Sequence, residues 1–179
     1  KDRIRAVSVS LESVTGHSFS HLQISTGGGE TLAAKRAYEL MTDLHGVVIK
    51  SFHADNGIYA EKASTSEVTA CGQTITFCGV GAHHQNGIVE NHIGRLTRGT
   101  RTSLLHAQRR WPEAVGEILW PFAWKDFERR YNDLHLDKLG LSPLQKYSKM
   151  HEPFRIRDYH TFGCPVYVLQ GKLQSVGSK

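Results

Sequence analysis

Cysteine is scarce and odd in number: Cys71, Cys78 and Cys164 are the three in 179 residues. Such a set builds no disulfide framework and points to a reducing compartment. No apolar run approaches the roughly 18 residues that cross a bilayer. No charged-then-apolar leader opens the chain, so no signal peptide is read. Five prolines leave long stretches free for helices and strands. Acidic residues fall short of basic ones, 17 against 22, giving a net charge of +5. The isoelectric point near 9.2 fits a polyanion partner without establishing one. No internal repeat and no low-complexity stretch is present. The first residue is Lys rather than Met, and the sequence is read as a fragment of something longer.

What is there is ordinary for a globular domain. Hydrophobic residues make up 39% and charged residues 22%, which excludes collagen, wholesale disorder and coiled coil. The length suits a domain with a sizeable core. Eleven histidines make the charge rise below about pH 6.5.

Residues 6–12 and 17–24 alternate apolar and small polar residues about Thr15-Gly16, which predicts an antiparallel hairpin. Helix formers fill 30–44 between the Gly27-Gly28-Gly29 run and Gly46. Residues 47–53 read as a strand of buried type, 61–70 as a short helix and 73–78 as another strand. After a loop at 79–87, a long helix is expected from 88 to about 109. A second is expected from Pro112 to 134, and a short one at 142–150 opened by Ser142-Pro143. A short strand is expected at 165–169, and a flexible polar tail from about 171. Strands alternating with helices predict an α/β fold, a mixed sheet packed against helices. Residues 1–134 are taken as the core and 135–179 as its C-terminal extension.

Two carboxylates stand out by placement. Asp55 follows a strand end, where α/β folds hold reactive groups, and Asn56-Gly57 turns the chain away. Glu90 lies in the first turn of the long helix, where the dipole favours a negative charge. Either alone reads as a turn or a helix start.

Their context says more. Phe52-His53-Ala54-Asp55-Asn56-Gly57 is followed in order by His83-His84-Gln85-Asn86-Gly87-Ile88-Val89-Glu90. Further on come Leu119-Trp120-Pro121-Phe122-Ala123, Ser142-Pro143-Leu144 and Phe162-Gly163-Cys164-Pro165. This wording resembles the integrase catalytic core of copia-type retrotransposon polyproteins, within the retroviral integrase superfamily of DDE polynucleotidyl transferases. The resemblance runs collinearly over nearly all of residues 5–170. It implies an RNase H-like fold and DNA integration: 3′ ends of element DNA are processed and joined to target DNA by transesterification at phosphodiesters. It implies Mg²⁺ or Mn²⁺ held by carboxylates, with Asp55 and Glu90 catalytic and metal-binding. Element DNA ends and target DNA would be partners, with a homo-oligomer in the full-length protein and no membrane. The nucleus would be the site of action, after particle assembly in the cytoplasm.

The resembled family places a third carboxylate on a first strand that precedes a two-strand hairpin, and here the hairpin comes first. The favoured reading puts that strand and its Asp before Lys1, so that this chain alone is inactive. Glu12 as a substitute and a misassigned strand are the alternatives. A catalytically dead DNA-binding or assembly module from a decayed or domesticated element is the competing function. An RNase H-type nuclease is a third.

Residues 91–110 hold five arginines and no acid. On a helix, Arg98 falls roughly 80° from Glu90 and Arg101 roughly 20°. Val89, Ile93, Leu96, Leu104 and Ala107 are expected to form the opposite, buried stripe. Arg95, Arg98 and Arg101, with His83, His84 and Asn86 in the loop before Glu90, are the candidate DNA contacts. Phosphate contacts of this kind position DNA without reading sequence.

Overall fold

The alternation in the first 24 residues becomes a hairpin. The computed structural model describes residues 3–79, 86–150 and 156–166. Strand β1 (Ala6–Leu11) pairs antiparallel with β2 (Ser18–Gln23), with Val9 opposite Ser20. Helix α1 (Gly28–Leu44) follows, opened by Gly27 and closed at His45-Gly46. Strand β3 (Ser51–Ala54), helix α2 (Lys62–Ala70) and strand β4 (Thr74–Phe77) form a crossover unit. Its two strands run parallel, His53 opposite Thr76. Then come α3 (Gly87–Arg110), α4 (Trp120–Leu134) and α5 (Pro143–Ser148). Among the described residues the strands form two separate pairs, β1-β2 and β3-β4.

Three boundaries differ from expectation. The strand read at 47–53 narrows to Ser51–Ala54, because its partner β4 is only four residues long. The helix expected from Pro112 starts at Trp120 instead. Ala114 and Val115 donate their N–H groups back to Trp111 O, making a turn there. Pro121 takes the first-turn position, where a missing N–H costs nothing. Pro165 and Val166 carry no strand, and the rest of the expected strand at 165–169, like the tail, lies outside the described residues.

Helices lie on both faces of β2. Phe19 packs toward Tyr38 of α1, ring centroids 5.9 Å apart. Its neighbours Ser18 and Ser20 face α4. There Ser20 Oγ donates to Glu128 Oε1 at 2.6 Å and accepts from Trp124 Nε1 at 2.9 Å. Asn132 takes the N–H of Ser18 and donates to its carbonyl. All of these groups are buried. The polar alternate positions of β2 are therefore buried, each matched by a partner from α4, because an unpaired buried polar group is costly.

Helix α3 packs on α4, and its Leu96 and Ala107 are fully buried. Gly99 lets the helices approach: a Cβ there would sit 2.1 Å from the Phe127 ring. Of the expected stripe, Leu96 and Ala107 are buried, Val89 and Leu104 are half-buried and Ile93 is exposed, while His92 and Thr100 join the buried face. Ser142 and Gln145 form a reciprocal capping box at the start of α5. The segment 156–166 returns to α4, where Tyr159 donates its hydroxyl to Asp133 and lies against the Arg129 and Arg130 guanidiniums.

Candidate active site

Asp55 is the first residue past β3, and its carboxylate lies beside Gly57, 3.4 Å from where a Cβ would be, an ordinary contact distance. Asn86 precedes α3 with no side-chain cap bond, and Glu90 sits in the first turn. Asp55, Asn86 and Glu90 line one cleft of about 1150 Å³ between the two strand pairs. Two carboxylates far apart in sequence are thus brought to the same cavity, both exposed. Carboxylate oxygens are the donors that hard divalent cations prefer, so the pair fits Mg²⁺ or Mn²⁺. Among the described residues, no group of three or more His, Cys, Asp or Glu side chains is placed to hold a metal.

Glu12 also lines this cleft, but its oxygens serve the hairpin turn. They accept from the Val14 and Thr15 N–H groups and from the Thr15 hydroxyl. Burial raises the Glu12 pKa, while the Thr15 and Val14 hydrogen bonds and the nearby His17 lower it; the net result is below the ordinary value. Three of its roughly four acceptor sites are thus used within the turn.

His53 stands two residues before Asp55. The Thr76 hydroxyl donates to Phe52 O, which leaves it to accept from His53 Nδ1 at 2.9 Å. Nε2 is then free to accept from the Cys78 thiol at 3.5 Å. The sequence signals His53 as a neighbour of Asp55 on the same face, but gives no hint of Thr76 and Cys78 as its partners.

The arginines of α3 divide. Arg95 donates to the Tyr131 hydroxyl at 2.7 Å and lies over that ring, so it is held against α4. Arg98 folds back along the helix; its Nη1 is 3.3 Å from a Cβ on Gly94. Arg98 and Arg101 are exposed, and neither has an ion-pair partner among the described residues. His83 and His84 lie outside the described residues.

A cluster missed at the sequence level lies just behind Glu90. His92 is buried against Tyr131, with ring centroids 4.8 Å apart, and Tyr131 stacks on His135 at 4.6 Å. Burial, then the charges of Arg95 and His135, hold the His92 imidazole down to about 4. Its Nε2 has no hydrogen-bond partner among the described residues. The position of His92 relative to Leu96 is the available signal, an i, i+4 spacing on one face.

No protein-family model and no curated protein sequence matches the chain. Solved structures do. The catalytic core domain of HTLV-2 integrase, solved in complex with magnesium in a trimeric form, superposes with a TM-score of 0.59 at 16% identity. That match covers 78% of this chain and 82% of the other. A dimeric form of the same domain gives 0.59 at 15%, covering 79% and 82%. A simian T-cell lymphotropic virus intasome, in complex with PP2A regulatory subunit B56 gamma, gives 0.62 at 15%. That match covers 92% of this chain and 52% of the other, so this chain spans about half the length of that one. The fold is the mixed α/β fold of retroviral integrase catalytic cores, small sheets flanked by helices.

Proposed function

We propose that the chain is the catalytic core of a DNA integrase from a copia-type retrotransposon, a piece of a longer polyprotein. One observation carries this reading: Asp55 and Glu90, from separate elements, line one cleft of an integrase-core fold. The reaction is transesterification at phosphorus, a 3′-hydroxyl of element DNA displacing a bridging oxygen of the target strand. When bound, Mg²⁺ or Mn²⁺ supplies positive charge at the phosphate oxygens. Asp55 and Glu90 would hold the ions. Arg98 and Arg101, exposed on the helix that carries Glu90, would hold the flanking phosphates. Partners are element DNA ends, target DNA and further copies of the chain, and the reaction takes place in the nucleus.

Two carboxylates are one fewer than the resembled family uses, so joining activity requires the longer parent. The test is Mn²⁺-dependent joining of a labelled blunt DNA end to a target duplex, with this chain and with a version carrying its upstream sequence. Activity is expected in the longer form alone. Asp55→Asn or Glu90→Gln in that form should lower it at least about 100-fold while DNA binding persists. Loss of binding with both substitutions would contradict the metal-holding roles. A folded longer form that binds DNA and never joins it would favour the catalytically dead assembly module.

A further inference from the structure

Asparagine is rare in this chain: Asn56, Asn86, Asn91 and Asn132 are the four, and Asn56 and Asn86 each precede a glycine. An Asn-Gly pair carries its own chemistry. The glycine nitrogen can attack the asparagine side-chain carbon, because no Cβ on the glycine shields it. The attack requires the backbone between the two residues to turn freely.

The fold holds three of the four asparagines in place. Asn132 is buried, and its side chain bonds at both ends to the main chain of Ser18. Asn91 lies inside α3. Asn86 stands at the start of α3 with φ −95° and ψ 7°, and Gly87 is the first residue of that helix. Turning the bond between Asn86 and Gly87 unwinds the first helical turn, which opens only at a cost in free energy.

Asn56 is under none of these restraints. It is exposed, as are Asp55 and Gly57, and it sits in a bend between β3 and the single turn Ile58–Ala60. Among the described residues its side-chain amide makes no hydrogen bond, and Gly57 is tied only through its carbonyl, which accepts from Ala60 N–H at 3.0 Å. Asn56 also lines the cleft beside Asp55. The Asp55 carboxylate atoms lie 3.4–3.7 Å from where a Cβ on Gly57 would be, so the attacking residue adjoins that carboxylate.

We infer that Asn56 is a deamidation site, converted without an enzyme to aspartate and isoaspartate at the cleft. Gly57 N bonds to Asn56 Cγ, and the side-chain nitrogen leaves as ammonia, carrying the proton that Gly57 N gives up. A succinimide ring results. Water opens it, hydroxyl going to a ring carbonyl carbon and hydrogen to the Gly57 nitrogen. Opening at Cγ gives aspartate. Opening at the main-chain carbonyl gives isoaspartate, whose main chain runs through Cγ. Nothing is oxidised or reduced. Either product places a new carboxylate next to Asp55, so the charge of the cleft depends on the age of the molecule. The inference concerns main-chain chemistry and stands apart from the DNA-joining reading, since its test uses neither DNA nor metal.

The full chain is aged in metal-free buffer at physiological temperature and pH, with a parallel sample in urea. Both are digested at mildly acidic pH and read by mass spectrometry with fragmentation that tells isoaspartate from aspartate. In the folded chain Asn56 should convert at least about tenfold faster than Asn86, while Asn91 and Asn132 persist. In urea the two Asn-Gly pairs should agree to within about threefold, because unfolding frees both backbones alike. Aspartate and isoaspartate should both accumulate at position 56. Asn56→Gln, which must close a larger and slower ring, should lose most of the acidic species that isoelectric focusing resolves in the aged parent. Equal rates at Asn56 and Asn86 in the folded chain, an Asn56 that stays intact there, aspartate without isoaspartate, or an undiminished acidic species in Asn56→Gln overturns the inference.

Discussion

Gly94 and Gly99 look alike in sequence, two helix-weakening residues on the same helix, α3. The structure separates them. A methyl at Gly99 would enter the Phe127 ring, whereas one at Gly94 would meet only the movable end of Arg98. Gly99→Ala should therefore cost about 1–3 kcal/mol by overpacking. Gly94→Ala should stabilise by up to about 1 kcal/mol through helix propensity. Denaturant midpoints of the two variants check this, and equal shifts would remove the distinction. His92 makes a second residue-scale prediction. The unfolded imidazole takes its proton near 6.5 and the folded one only near 4. Stability is then whole above pH 6.5 and falls as pH drops from 6.5 to 4, because the unfolded chain binds the proton first. His17, held to about 4 chiefly by burial, and secondarily by His45, adds in the same window. His92→Phe keeps a ring against Tyr131 and removes the titrating group. Its melting temperature should fall less between about pH 7 and about pH 4.5 than that of the parent. Neither the ring stack nor the Phe127 packing is legible in sequence, since each depends on α4, which no local pattern ties to α3.

At the scale of elements, the sequence identifies α3 as one long helix and places Glu90 in its first turn. The periodicity of apolar residues carries that far. It finds Leu96 and Ala107 on the buried face but misplaces Ile93 and misses His92 and Thr100, because polar residues give no apolar signal. The arginines follow from the same helix. Arg95 belongs to the packing with Tyr131, and Arg98 and Arg101 to the surface. Arg98→Ala with Arg101→Ala should weaken DNA binding and lower the salt slope by about 0.9 for each phosphate no longer neutralised. Arg95→Ala should leave that slope alone and cost about 0.5–1 kcal/mol of stability. Binding isotherms at several salt concentrations, with a melting curve for each variant, separate the two outcomes. The start of α4 is ambiguous in sequence because Pro112 and Pro121 are equally good first-turn residues. Only the turn closed on Trp111 O shows which one the helix uses.

At the scale of the whole molecule, the order of strands and helices is legible, because each element announces itself by its own period and breakers. That Asp55 and Glu90 line one cleft is legible only through the collinear wording around them. The division into two strand pairs with an open cleft is not, since pairing partners are not written into either strand. The polar bridge from β2 to α4 is equally hidden. Ser18 and Ser20 read as the solvent side of an amphipathic strand, yet they meet Trp124, Glu128 and Asn132 across 104 to 114 residues of chain. That separation has a consequence for synthesis. At about 5–20 residues per second, several seconds or more pass between the emergence of the hairpin and that of its partners. During that interval the serines are hydrated, and α1 alone is there to cover the opposite, Phe19 face of the hairpin. The nascent chain thus carries the serine face of this hairpin uncovered until α4 is made, and a ribosome stalled before Trp124 would hold that face open to other chains.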